Sequence, residues 1–157
     1  MNKVQTVEEA KNLLEEEIEK SNFIKNSDGY RNHCHYMSVI IQNTVDAINE
    51  KHPRSTLDRE EMGIAGILHD IGNCISDDTD HHPIIGADYL ESIGLPGIAD
   101  IIRTHNFIKE VVETTNFRGM NPDDFNVKSW NEALISHASM RCGNKEILSF
   151  DEKLQRM

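Results

Sequence analysis

Four times in this 157-residue chain a short polar residue is followed three positions later by glutamate: Thr6 with Glu9, Asp58 with Glu61, Ser129 with Glu132, and Ser149 with Glu152. In that spacing the first side chain accepts a free backbone N–H of the opening turn while the glutamate reaches back, so each pair marks a helix start. Strand signals are weak by comparison. The apolar positions Val7, Ala10, Leu13, Leu14 and Ile18 predict an amphipathic helix over about Thr6 to Lys20, and a longer one runs from about Gly29 to Glu50, stopped before Pro53. Further helices are expected over Arg59 to Ile71, over Pro83 to Ile93 ending at Gly94, and from Pro96 through His105. Asn106 to Asn126 reads as an irregular stretch, followed by a helix from Ser129 to about Arg141 and a short last one after Ser149 that Met157 cuts off. The fold class is therefore all-α, with about six to seven helices each turning one apolar stripe inward.

A hydrophobic content of 38% over this length suits one domain with its own core, spanning residues 1–157, and is too little for two ordinary ones. Neither a signal peptide at Met1 to Thr6 nor an apolar stretch of the roughly 20 residues that a spanning helix needs is legible. Cys34, Cys74 and Cys142 form an odd set without a Cys-x-x-Cys pair, which argues against a disulfide framework and a thiolate zinc knuckle; a reducing cytoplasm fits best. The net charge of −11 repels polyanions, so no nucleic acid polymer and no membrane is expected as a partner. A small phosphorylated molecule fits if a bound cation supplies the positive field.

The apolar run Ile64 to Leu68 closes on His69-Asp70. An imidazole beside a carboxylate at the end of a buried helix is costly unless both groups hold something, and a metal ion is the first candidate. A histidine capping helix-end carbonyls is the plainer alternative for the pair taken alone.

The order of the surrounding segments changes that balance. Arg31 to Val39 with His33 and His35, then Ile67 to Gly72, then His82-Pro83-Ile84-Ile85-Gly86-Ala87, then Ile102-Arg103-Thr104-His105 resembles the HD superfamily of metal-dependent phosphohydrolases. The resemblance covers about residues 29–154. It implies an HD-type helical bundle around a buried site for one or two divalent transition metal ions, whether iron, manganese, zinc, nickel or cobalt. By position it implies His35, His69, Asp70, His82 and His105 as ligands, with Asp70 bridging two ions and acting in catalysis. The family's spacing, a histidine four residues before an apolar position that Val39 fills, implies His35 rather than His33; the two histidines lie about 200° apart around a helix and cannot face one site, and apolar residues surround this helix too broadly for periodicity to choose. His52 reads as a solvated helix end and His81 as a loop neighbour of a ligand.

Two departures stand out. Where the family has a late aspartate ligand, the phrase Ser136-His137-Ala138-Ser139-Met140-Arg141 has Ser139, a poor or water-mediated ligand at best. Compensation from Asp77, Asp78 or Asp80 is one alternative. Asn73 replaces a lysine common after His-Asp, removing a phosphate-binding charge. Arg31, Arg103 and Arg141, with Asn73, are the remaining candidates for substrate phosphate. The resemblance implies hydrolysis of a phosphate ester or anhydride in a small molecule, a nucleotide being the family's usual type. The alternatives are a catalytically reduced metal- or nucleotide-binding regulatory domain and a di-iron oxygenase of the same fold.

Overall fold

A computed structural model describes residues 4–106 and 108–142. The helix starts lie where the capping pairs put them. Thr6 Oγ1 accepts the Glu9 N–H at 3.2 Å while the Glu9 carboxylate accepts the Thr6 N–H at 3.0 Å, opening α1 (Val7–Lys20). Asp58 caps α3 (Arg59–Leu68) through the Glu61 N–H, and Ser129 caps α8 (Trp130–Ser139) through the Glu132 N–H. Between them run α2 (Ser27–Lys51), α4 (Gly72–Ile75), α5 (His82–Ser92), α6 (Pro96–Ile102) and α7 (Ile108–Thr115). No β-strand occurs among the described residues, and no helix among them is long and apolar enough to cross a membrane. The helix expected after Ser149 lies outside the described residues.

Three expected segments differ, the simplest being the helix expected from Pro96 through His105, which ends at Ile102. The helix expected to reach Ile71 stops at Leu68: the Ile71, Asn73 and Cys74 N–H groups bond three residues back rather than four, which tightens the chain into a turn before the single helical turn of α4. The stretch from Asn106 to Asn126 is more ordered than its composition suggests. It contains α7 and two 3₁₀ turns, Phe117–Gly119 and Pro122–Phe125. Ile108 and Val112 form one buried face only two turns long, too short for periodicity to register, and join Ile84 and Phe125 in a small apolar cluster.

The main core is built from α1 to α6 and α8, with Leu14, Met37, Ile41, Met62, Ile67, Leu68, Leu90, Ile102 and Ile135 fully buried. Among the described residues the contact between α2 and α3 is the most extensive. It depends on Gly66, where a Cβ would come within 2.7 Å of Ser38 Cα and 2.9 Å of its N, and Ser38 Oγ donates to the Gly63 carbonyl at 2.9 Å. Close approach here sets the distance between the middle of α2 and the end of α3, one turn before His69.

Candidate metal centre

The end of α3, the start of α5 and the turn after α6 converge on the flank of α2. His69 is the last cap residue of α3, His82 opens α5, His105 follows α6, and His33 projects from the interior of α2. All surround Asp70, whose side chain is only 14% exposed. Asp70 Oδ1 lies 2.9 Å from His82 Nε2 and 3.3 Å from the Nε2 atoms of His69 and His105, and Oδ2 lies 3.3 Å from His33 Nε2. The donors form two trios that share Asp70: His33, His69 and Asp70, then Asp70, His82 and His105.

Backbone carbonyls hold three of the rings. Nδ1 of His69 donates to Gly66 O at 2.9 Å, that of His82 to Thr79 O at 2.6 Å, and that of His105 to Ile102 O at 2.6 Å. A proton held on Nδ1 leaves Nε2 as a lone pair directed at Asp70, the tautomer a metal-binding imidazole needs. Yet His33 and His69 bring their Nε2 atoms to 3.1 Å, and His82 and His105 to 3.2 Å. Two lone pairs at that range repel unless a proton or cation lies between them. For metal–nitrogen bonds of about 2.1 Å, such separations correspond to ligand angles of roughly 95–100°, between octahedral and tetrahedral values. The donor set therefore fits a transition metal at each trio, with imidazole and carboxylate chemistry suited to zinc, iron, manganese or nickel.

Without a cation, protons carry the balance. Burial would raise the Asp70 carboxyl, but the charge of His69 and hydrogen bonds from His105, His33 and His69 hold it well below the usual range. Burial works to lower His33, yet its hydrogen bond to Asp70, aided by Cys142, raises it to about 10. His82 is raised despite burial, again through Asp70. At His105 burial prevails and lowers the value to about 4.

The turn bearing Asp70 is pinned from α2. Tyr30, one turn before His33, donates its phenol O–H to the Asp70 main-chain carbonyl at 2.6 Å. From the other side, α4 and α5 meet at Gly72, where a Cβ would run into the His82 carbonyl oxygen and lie 2.9 Å from Gly86 N. That contact seats His82 against Asp70.

Of the residues expected from the sequence, His69, Asp70, His82 and His105 come together. His35 does not: the structure puts His33 in its place. Val39, the residue used to choose His35, is 52% exposed, whereas Met37, four residues after His33, is fully buried. The buried side of α2 carries Cys34, Met37, Ser38 and Ile41, and His33 borders it. His35 lies among Lys11, Glu15, Glu8 and Arg31, where burial lowers its pKa. The usable signal was the buried spacing of Tyr30, His33, Met37 and Ile41, which breadth of apolar residues around α2 obscured.

Ser139 ends α8 and is buried, with its hydroxyl 2.7 Å from Asn106 Oδ1. Asn106 follows His105 in a left-handed conformation at φ 60°. His137 is exposed, so it does not substitute for the missing carboxylate, and none of Asp77, Asp78 and Asp80 belongs to either trio among the described residues. Asp78 instead accepts from His81 Nδ1 at 2.8 Å, while His81 Nε2 meets Thr115 Oγ1 and its ring stacks on Phe117 at 3.8 Å. His81 is thus a buried anchor between the loop before α5 and the end of α7. Arg31 is engaged by Glu15 at 2.6 Å and Asp28 at 3.0 Å, and Arg103 by Asp88 at 2.8 Å and Glu91 at 2.7 Å. Neither points a spare guanidinium at phosphate. Asn73 does line the cleft that reaches His33 and Asp70.

Compared with family models, the chain matches the HD domain over residues 30–128, more than half its length, a span that takes in both trios. Neither a curated protein nor a solved structure matches it.

Proposed function

This chain belongs to the HD domain family, and we propose from that premise that it hydrolyses a phosphate ester or anhydride in a small molecule, a nucleotide. The observation that carries the reading is one buried carboxylate, Asp70, set between two pairs of imidazole nitrogens. His33, His69 and Asp70 would hold one divalent transition metal ion and Asp70, His82 and His105 a second. Bound there, such ions supply Lewis-acid polarisation of the phosphoryl oxygen and a water of lowered pKa.

The chain's own residues do the rest. Asp70 Oδ1 makes the approaches to His69, His82 and His105 and Oδ2 that to His33, and Asp70 and His33 both line the cleft. Besides holding the ions, Asp70 is therefore the carboxylate at the cleft floor that would receive the proton of an attacking water. The Nδ1–H bonds to Gly66, Thr79 and Ile102 fix the ring directions of His69, His82 and His105 so that little reorganisation is needed during turnover. Substrate enters through a cleft of about 710 Å³ walled by the α1–α2 connection and the segment after α4.

Elemental analysis of protein purified without chelators should find up to two transition metal ions per chain, and chelation should abolish phosphate release. Undiminished turnover by metal-free protein refutes the reading. The seating of Ser139 against Asn106 favours a second reading, a domain that binds metal and nucleotide without turnover. It predicts thermal stabilisation by nucleotide with no product.

The two histidines of α2 give a separate check. His33→Ala should weaken metal binding by more than about a hundredfold, since a direct donor is removed, whereas His35→Ala should leave metal content unchanged. Metal-binding titrations of the two variants decide between them, and the reverse pattern would return the ligand role to His35.

A further inference from the structure

The cleft that ends on His33 and Asp70 has a second wall. The residues linking α1 to α2 contribute Asn22, Phe23, Ile24, Lys25 and Asn26 to it. This connection is held at both ends by side chains that cap backbone groups: Ser21 Oγ accepts the Phe23 N–H at 3.1 Å, and Asn26 Oδ1 accepts the Gly29 N–H at 3.0 Å. Ile24 anchors its middle by packing against the main core. With Ile24 turned inward, Phe23 and Lys25 are left exposed, Phe23 at 42%.

The charges in this cleft are unevenly placed. Arg31, Arg103 and Arg118 are each engaged by carboxylates. Among the described residues lining the cleft, Lys25 is the only Lys or Arg, and no ion pair ties it down. A polyanion entering a chain of net charge −11 needs a local cation besides any metal. An ammonium is a mobile point charge with three donors, suited to a phosphate that is not itself being attacked.

We propose that the α1–α2 connection is the subsite for the non-reacting part of the substrate, with Lys25 holding a second phosphate and Phe23 stacking on a planar base. The substrate class is then a nucleotide with more than one phosphate, rather than a nucleoside monophosphate or a sugar phosphate. An aromatic face accepts any base, so the subsite selects for a ring and for charge but not for base identity. Asn73, on the opposite wall, carries no charge where a lysine would bring one, which leaves Lys25 as the only Lys or Arg among the described residues lining the cleft.

The inference rests on the phosphohydrolase reading, and binding separates the two. The probes are the methylene-bridged analogue of ADP, AMP and inorganic pyrophosphate, titrated calorimetrically into the manganese-loaded full chain. Wild type should bind the ADP analogue at least about tenfold more tightly than AMP, and Lys25→Ala should remove most of that difference. Phe23→Ala should weaken the ADP analogue and AMP by about tenfold while leaving pyrophosphate unchanged. Lys51→Ala, which removes a charge at the far end of α2, should bind all three as wild type does. If wild type does not bind the ADP analogue, or Lys25→Ala and Phe23→Ala bind every probe as wild type does, the subsite is overturned, even where phosphate is released from p-nitrophenyl phosphate. If the binding pattern holds and neither ADP nor p-nitrophenyl phosphate is hydrolysed, the subsite stands and the hydrolase reading fails.

Discussion

Asp70→Asn should leave the helical fold in place and empty the metal centre, lowering turnover at least about a thousandfold as several kcal/mol of transition-state charge stabilisation disappear with the ions. The substitution conserves volume, so packing around the turn after α3 is kept, and the Tyr30 hydrogen bond goes to the main-chain carbonyl rather than to the carboxylate. What changes is the charge between four imidazoles, each with Nε2 within 3.3 Å of a carboxylate oxygen. A neutral amide cannot bridge two cations, so both trios should lose affinity together although each keeps its two histidines. Circular dichroism verifies the fold, and elemental analysis with phosphate-release assays reads the effect. Retention of the wild-type metal count with a rate within about threefold would remove Asp70 from the centre of the mechanism.

The second large effect is on stability. Gly72→Ala places a methyl group against the His82 carbonyl oxygen, 2.8 Å from His82 C and 2.9 Å from Gly86 N. Backbone atoms of α5 cannot swing aside as a side-chain tip would, so α4 and α5 must separate. A cost of about 3 kcal/mol or more is expected, at the upper end for overpacking, which lowers the melting temperature by on the order of 10 °C in a chain of this length. Separation also draws His82 away from Asp70, so the variant should lose metal from the trio of Asp70, His82 and His105 before that of His33, His69 and Asp70. A melting curve and metal content matching wild type would show that α4 and α5 tolerate the spacing and that Gly72 does not seat His82.

Much of the fold was legible because capping is local chemistry. Thr6, Asp58 and Ser129 each bond the backbone three residues on, and nothing distant is needed to place those helix starts. α7 was missed for the opposite reason: Ile108 and Val112 offer one short face, which becomes a helix by packing on Ile84 and Phe125. The break after Leu68 was likewise hidden, since Ile71 follows Ile67 by four residues and so continues the helical spacing, and the turn is settled by partners on α2 and α5.

The sequence by itself determined that the chain is helical and where most helices start, because cap spacing is a property of the chain alone, and its ordered motifs, through their resemblance to the HD family, implied that His69, Asp70, His82 and His105 belong together. Only the tertiary structure decided between His33 and His35. Two histidines on opposite sides of one helix are equivalent until a neighbouring helix covers one side, and the contact of α2 with α3 at Gly66 covers the side of Met37 and leaves that of Val39 to solvent. The same holds for the arginines. Arg31 has a local partner in Asp28, but Glu15 and, for Arg103, Asp88 lie 16 and 15 residues away, so these engagements are fixed only once the helices meet.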